Sequence, residues 1–434
     1  MLLHRHTPSF RGHAGRQAVF AAFLGVAVAA VVQGQEAAPL RLTLTDALTL
    51  AEQRGYDFLL ADAAARGAEG DLDAARRLTN PVFSGAYLHS TGVPLGDTTT
   101  SASGYSLSLS DQGAIEGVAS GKRSLRVRAA EAALAQARAG RDDALRVLRL
   151  QVTQAFYAVL AAEASERVDR DVAGTFGQTF DLVELRYRHG AVSEVDLARV
   201  ETAKLEADQA VSGASGQVTQ ARAALAFLLG GIPSELELVG TLEGPIETWP
   251  SADPRKLIAE GLARRDDVRA AHAALDRADA ALSLARRQRF PDLAVSGGYA
   301  REGPEEAPVT PPTVTLAATF ELPVFHQRRG EIARAESDRS AAKIALDRIV
   351  SQATEEVLSG RAAFLAAREQ VQRMTERLLD RARRARELVR LQYRAGAISL
   401  IDLLDAERTA LSVELEYRQD LYALRAATAQ LAAA

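Results

Sequence analysis

Two aspartates, Asp402 and Asp405, stand three residues apart in the segment Ser399-Leu-Ile-Asp-Leu-Leu-Asp405. On a helix that spacing puts both carboxylates on one face. Arranged around a symmetry axis by several copies, such residues become acidic rings, which favour cations at a constriction and raise some of the carboxylate pKa values by crowding. In a single copy they are ordinary solvated helix acids. Other reactive chemistry is sparse. Beyond the first 35 residues the histidines are His89, His189, His272 and His326, scattered and without a pair at helical ligand spacing, and the chain has no cysteine. No metal site and no cofactor is therefore expected. Phosphate loops, nucleophile elbows, zinc-protease helices and dinucleotide fingerprints are absent, so the chain does not read as an enzyme.

The acidic pair belongs to a stretch that occurs twice. Leu185-Arg-Tyr-Arg-His-Gly-Ala-Val-Ser-Glu-Val-Asp196 answers Leu391-Gln-Tyr-Arg-Ala-Gly-Ala-Ile-Ser-Leu-Ile-Asp402 at a separation of 206 residues, so Tyr187, Gly190, Ser193 and Asp196 match Tyr393, Gly396, Ser399 and Asp402. Gly190 and Gly396 suit the left-handed end of a helix, and Ser193 and Ser399 suit the N-cap of the next. These are two helical hairpin tips, at about 187–196 and 393–402. Upstream, Ala75-Arg-Arg, Pro81 and Tyr87 answer Ala285-Arg-Arg, Pro291 and Tyr299. The period is too long for a solenoid, which leaves two similar halves, 36–240 and 241–434.

The elements that position the tips follow from proline. None occurs between Pro94 and Pro233 or after Pro323, which permits very long helices, one over Lys122 to Arg188 of roughly 100 Å and one over Gly330 to Arg394. Leu145, Leu148, Val152, Ala155, Val159 and Ala162 alternate at spacings of three and four, a coiled-coil seam. Shorter helices are expected from Thr45 to Leu78 and from Pro254 to Arg289, with Thr45 and Asp253 as N-caps. Between short and long helix each half shows a period of two. Phe83, Gly85 and Tyr87, then Tyr105, Leu107 and Leu109, alternate with Ser and Ala in the first, and Leu293 to Tyr299, then Val314 to Leu322, alternate with Ser, Thr, Gly, Ala and Glu321 in the second. Each half thus carries one β-hairpin, about 82–110 and 293–322, looped through Thr91 to Ser101 or Arg301 to Pro312.

Composition sets the surroundings. Hydrophobic residues make up 47% and aromatics only 5%, which suits packed helices, and 52 basic against 56 acidic residues leaves no basic excess for nucleic acid. Arg5, Arg11 and Arg16 before an apolar run from Ala18 to Val32 and small residues near Gly34 read as a secretory signal peptide over 1–35; an uncleaved anchor is the competing reading. In an exported chain, strands with one apolar and one small polar face fit a transmembrane barrel wall. Four strands cannot close one and lipid tolerates no open edge, so three copies giving twelve strands are expected, continued by a helical tube.

The whole mature chain resembles the TolC-type outer membrane efflux factors, and among them the CzcC/CusC-like branch of heavy-metal export. The resemblance rests on the duplicated Tyr-x-x-Gly-x-x-Ser-x-x-Asp tips, on Asn80-Pro81, on Gly121-Lys-Arg, and on Leu322-Pro-Val-Phe-His-Gln-Arg-Arg-Gly330. It implies a mainly α homotrimer with a twelve-stranded barrel in outer membrane lipid and a periplasmic helical barrel. Its partners would be a periplasmic adaptor and an inner-membrane pump of the RND type, and the exported cargo cobalt, zinc, cadmium, copper or silver ions, with drugs, other small organics or secreted proteins as alternatives. By the same resemblance Asp402 and Asp405 ring the periplasmic entrance, Asp196 helps to hold it closed, Tyr393 is a gate residue, and Tyr187, Gly190, Ser193, Gly396 and Ser399 present the tips to the adaptor. Many relatives are lipoproteins; a chain without cysteine is not. Ile398 stands where some relatives place a gate arginine, and Arg381, Arg383, Arg384 and Arg386 read as a solvated or subunit-facing surface, with adaptor contact as the alternative. A coiled-coil scaffold without a pore is the alternative from a different class.

Overall fold

The computed structural model describes residues 40–95, 98–231, 236–244, 253–304 and 311–434. The expected signal peptide lies outside the described residues.

The first half begins with a short strand, β1 (Leu40–Leu42), and two helices, α1 (Leu44–Arg54) and α2 (Tyr56–Arg76). The sequence predicts one helix capped by Thr45, and the structure corrects both points. Thr43 is the cap: its hydroxyl accepts from the Asp46 N–H at 3.2 Å while the Asp46 carboxylate accepts from the Thr43 N–H at 3.0 Å. The break falls at Gly55, where the backbone is extended and a Cβ would stand 2.7 Å from Leu148 Cδ2. Glycine lets the bend lie against the long helix. After β2 (Val82–Leu95), β3 (Thr98–Ser110) and a single turn, α3 (Ala114–Ala119), come α4 (Lys122–Arg188), 67 residues as the proline-free span predicts, and α5 (Glu194–Leu228).

The second half runs in the same order. A short strand, β4 (Leu236–Leu238), precedes α6 (Pro254–Arg264) and α7 (Asp266–Arg287), capped by Asp253 as expected but broken at Arg265. Then follow β5 (Leu293–Pro304), β6 (Thr313–Phe320), α8 (Arg329–Arg373), a π turn (Met374–Leu378), α9 (Leu379–Arg394) and α10 (Leu400–Ala433). The expected second long helix is thus present but carries a π turn, which no proline or glycine announces. β1 and β4 pair in parallel, Leu40 opposite Leu236. At three residues each they are too short to show a period.

The two β-hairpins form one antiparallel sheet in the order β2-β3-β5-β6. The strands of the first hairpin extend further than the sequence predicts, through Leu95 and from Thr98, so Thr91 to Ser101 is mostly strand rather than loop; in the second, β5 runs on to Pro304 while β6 ends at Phe320, short of the expected Leu322. Register sorts most of the side chains by face. Phe83 faces Leu109, Tyr87 faces Tyr105, Leu107 faces Tyr299, Tyr299 faces Val314, and Leu293 faces Phe320, all on one side. On the other side Ser84 faces Ser108, Ser106 faces Ala300, Ser110 faces Ser296, and Ala294 faces Thr319. The first face is mainly apolar, with an aromatic row in which Tyr105 stacks on Tyr299, ring centroids 6.2 Å apart, and it also carries His89 and Arg301; the second is mainly small and hydroxylated and carries Val82, Leu88 and Glu302 as exceptions. Among the described residues no helix is long and apolar enough to cross a membrane.

The main core gathers Val152, Phe156, Val159 and Leu160 of α4 with Leu225 of α5, Phe364 of α8, and Tyr417, Leu421 and Leu424 of α10. It fixes the roots of both helical hairpins, and the tips project from it.

Candidate functional site

The repeated sequence of the tips yields a repeated backbone. At the end of α4 the Ala191 N–H donates to Arg186 O at 2.9 Å and the Gly190 N–H to Tyr187 O at 2.8 Å; at the end of α9 the Ala397 N–H donates to Gln392 O at 2.9 Å and the Gly396 N–H to Tyr393 O at 3.0 Å. Both are Schellman closures. They need a left-handed residue, supplied by Gly190 at φ 70° and Gly396 at φ 75°. Ser193 and Ser399 cap α5 and α10, accepting from the Asp196 and Asp402 N–H groups at 3.2 and 3.3 Å.

The aspartates then diverge. Asp402 completes a capping box: its carboxylate accepts from the Ser399 hydroxyl at 2.7 Å and the Ser399 N–H at 3.1 Å. These bonds hold the carboxyl below the usual range. Asp402 therefore also stabilises its own helix start. Asp405 is exposed on the same side, opposite the buried Leu403 and Leu404, and has no ion pair or side-chain hydrogen bond among the described residues. Asp196 accepts from the Ser193 hydroxyl at 2.8 Å and is half-buried.

A second core welds the two tips together. Val172, Phe176 and Val183 of α4, Val200, Ala203 and Ala207 of α5, Tyr393 of α9, and Leu400, Leu403 and Leu404 of α10 form it. Tyr393 is 7% exposed, and the Arg186 guanidinium lies over its ring, 5.4 Å from the centroid. Burial pushes the Tyr393 hydroxyl up, with Asp196 adding to the rise and Arg186 opposing it. The structure thus brings Tyr393 and Asp196 together, from different hairpins, and adds Arg186, which sequence reasoning missed. Its signal was available: residue 186 lies beside the matched Tyr187, but the second tip has Gln392 there. Tyr187, the repeat partner of Tyr393, is 39% exposed and packs nothing comparable.

Sequence reasoning also missed an ionic ladder between α9 and α10. Arg383 Nη2 donates to Glu414 Oε2 at 3.1 Å, and Arg390 Nη2 donates to Glu407 Oε2 at 2.8 Å and to Thr175 Oγ1 of α4 at 3.1 Å. Glu407 is 1% and Glu414 7% exposed. The arginines are seven residues apart and so are the glutamates, a heptad apart on facing helices. Arg383 is accordingly half-buried in a pair, a correction to its reading as surface, whereas Arg381 and Arg384 are exposed.

The sequence matches the family model described as "Outer membrane efflux protein" over residues 47–231 and 257–434. The chain belongs to this family. A relative is the cobalt-zinc-cadmium resistance protein CzcC of Cupriavidus metallidurans, 26% identical over 91% of this chain and 89% of that protein. Another is the pyoverdine export outer membrane protein OpmQ of Pseudomonas aeruginosa, 27% identical over 61% of this chain and 56% of that protein. The fold is that of the Campylobacter jejuni outer membrane channel CmeC, with a TM-score of 0.77, 16% identity, and coverage of 90% of this chain and 84% of that one.

The histidines of this efflux protein lie far apart in the chain, and His89, whose Nδ1 is 2.9 Å from Ser103 Oγ, stands on the sheet face of Tyr87 and Tyr105. His189 Nδ1 lies 2.8 Å from Leu185 O and His326 Nε2 2.7 Å from Glu331 Oε1. Among the described residues of this efflux protein no three His, Asp or Glu side chains group in a way that could hold a metal ion.

Proposed function

We propose that three copies of the chain close their sheets into one twelve-stranded barrel in the outer membrane, forming a passive exit duct whose helical hairpins reach into the periplasm. The observation that carries this reading is the sheet: among the described residues β2 and β6 are edges with one side unpaired, one face is mainly apolar with an aromatic row, and the other is mainly Ser, Thr and Ala. Lipid does not tolerate open edges, so the edges must pair with other copies. Apolar residues then face lipid, and the hydroxyl face lines water. Residues 1–35 are an export signal, the hold on the membrane is the shared barrel rather than a lipid, and the two repeats divide at 240.

The tips are the working end. Tyr393, Asp196 and Arg186 join the two hairpins of one copy and keep the periplasmic end narrow, while Asp402 and Asp405 of three copies form acidic rings there that prefer cations. The surfaces around Tyr187, Gly190, Ser193, Gly396 and Ser399 dock a periplasmic adaptor, which couples the duct to an inner-membrane RND pump. CzcC supports heavy-metal cations as cargo, and OpmQ supports an organic molecule instead. Sensitivity of a deletion strain to cobalt, zinc and cadmium against its sensitivity to organic toxins separates these. The assembly itself is tested by extracting the protein from membranes in detergent and measuring its mass: a trimer supports the duct, and a water-soluble monomer favours a poreless coiled-coil scaffold.

A further inference from the structure

Within one copy the seam between the two hairpins, β3 against β5, is fastened at its helical end by a buried cation. Lys122, the first residue of α4, is 5% exposed. Its Nζ donates to Phe290 O at 2.7 Å and pairs with Asp292 Oδ1 at 2.6 Å, immediately before β5. Asp111, just after β3, closes the seam from the other strand: its Oδ1 accepts from the Val295 N–H at 2.8 Å, and its own N–H donates to Val295 O at 3.1 Å. The outgoing end of the first half is thereby clamped to the incoming end of the second.

The second half repeats the preparation without the partner. α4 starts at Lys122 after a left-handed cap, Gly121 at φ 76°; α8 starts at Arg329 after a left-handed cap, Arg328 at φ 53°. Lys122 and Arg329 hold the same place in their halves. A non-glycine residue in that conformation is uncommon, so the geometry is being kept at some strain. Yet Arg329 is exposed and makes no ion pair or side-chain hydrogen bond among the described residues. β6, the strand before it, is an edge with no following hairpin among the described residues. The counterpart of the strand entrance that Lys122 grips is the base of β2, where Asn80-Pro81 stands for Phe290-Pro291. That base is exposed too, with Leu78 and Val82 open on one edge and Leu322, Val324 and Phe325 open beside the other.

We propose that Arg329 of one copy donates to the main-chain carbonyl of Asn80 in the next, repeating between copies the fastening that Lys122 makes to Phe290 within one. This rests on the trimeric barrel. Val82 stands where the internal seam has Asp292, so the contact between copies has no matching carboxylate. An arginine suits that change, because its planar fork presents several donors to backbone oxygens where a lysine offers a point charge. The exposed apolar residues on the two edges cover the contact once the copies meet.

The chain has no cysteine, which makes the test direct. The double variant Asn80→Cys/Arg329→Cys, expressed in membranes and oxidised, is run on a non-reducing denaturing gel, and the mass of the native protein is measured in detergent alongside. The two sites lie by opposite edges of the sheet, three strand spacings or roughly 14 Å apart, beyond the reach of a disulfide within one chain. Covalent dimers and trimers that collapse on reduction, absent from both single variants at the trimer position, are the expected result. A trimeric native mass with only monomer on the gel overturns the contact and leaves the barrel standing; a monomeric native mass overturns the barrel reading itself. Arg329→Ala should also lower the temperature at which the detergent trimer dissociates, with Arg329→Lys intermediate, and an unchanged temperature for both would contradict the fastening.

Discussion

The two helical hairpins of this efflux protein end in the same tip and differ in how deeply they bury charge behind it. Both close with a Schellman turn and a serine cap. Behind the first tip α5 buries Val200, Ala203, Ala207, Ala214 and Val218, an apolar stripe flanked by a half-buried ion pair to α4, Arg222 Nη2 to Glu163 Oε1 at 2.8 Å. Behind the second, α10 buries Glu407 and Glu414 against Arg390 and Arg383, with a π turn one step further on. The positions 206 residues before the two glutamates are Glu201 and Asp208, both exposed. The same contrast recurs at the bends of the short helices. Gly55 bends the first by close packing on Leu148, whereas Arg265 bends the second, 3% exposed and paired with Asp267 at 2.6 Å and Glu356 at 2.7 Å. Apolar stripes tolerate sliding, and buried ion pairs specify register. In the second half, therefore, helix register is encoded in the more deeply buried ion pairs, Glu407 being 1% exposed while Glu163, which Arg222 of α5 pairs with in the first, is half-buried.

The largest effect should come from breaking that code. Glu407→Ala leaves Arg390 without its buried carboxylate and should destabilise by about 3 kcal/mol or more, while Glu201→Ala in the first hairpin should stay within about 0.5 kcal/mol; thermal unfolding of both variants checks the difference. Replacing both partners, Arg390→Met with Glu407→Leu, should recover most of the loss. If the recovered protein also keeps its conductance, register in α9 and α10 does not depend on the ladder.

Next in size is the joint between the tips. Arg186→Ala removes the cation over Tyr393, a contact worth roughly 1–2 kcal/mol when desolvated, and should raise the open fraction of single-channel records about tenfold, whereas Arg188→Ala on the exposed side should leave it unchanged. Gly190→Ala and Gly396→Ala each force a left-handed alanine and should cost about 1 kcal/mol apiece, equally in both hairpins; unequal losses on unfolding would show that the closures are not equivalent.

Smallest are the titrations. Asp420 in α10 is 6% exposed, its Oδ2 has no hydrogen-bond partner among the described residues, and burial, helped by Glu416, raises its carboxyl. A raised acid is destabilising when ionised, so Asp420→Asn should raise the melting temperature at neutral pH and lose that advantage as pH falls through the folded and then the ordinary carboxylate range. Asp402 behaves oppositely. Its lowered carboxyl stabilises the second tip above the ordinary carboxylate range and ceases to as pH falls below it, a dependence that Asp402→Asn should abolish.

Much of this was legible in the sequence. The tips were, because Gly190, Gly396, Ser193 and Ser399 act locally, each through a backbone conformation or a bond three residues away. The sheet faces were, because a period of two survives in Phe83 to Tyr87 and Val314 to Phe320 whatever the strands pair with. The break at Gly55, the π turn and the Arg–Glu ladder were not, since each depends on what packs alongside: Leu148 for the first, and for the ladder an antiparallel register that brings residue 383 to 414 and 390 to 407. Arg186 escaped notice because its partner, Tyr393, lies in the other repeat.

The central claim, that copies of this chain make a cation-preferring pore through the outer membrane, is tested most directly by single-channel recording of the detergent-purified protein in a planar bilayer under a salt gradient. Discrete channels with a reversal potential on the cation side, moved toward zero by Asp402→Asn with Asp405→Asn, are the predicted result. Protein of full trimeric mass that gives no conductance, or channels whose selectivity the double variant leaves untouched, would contradict it.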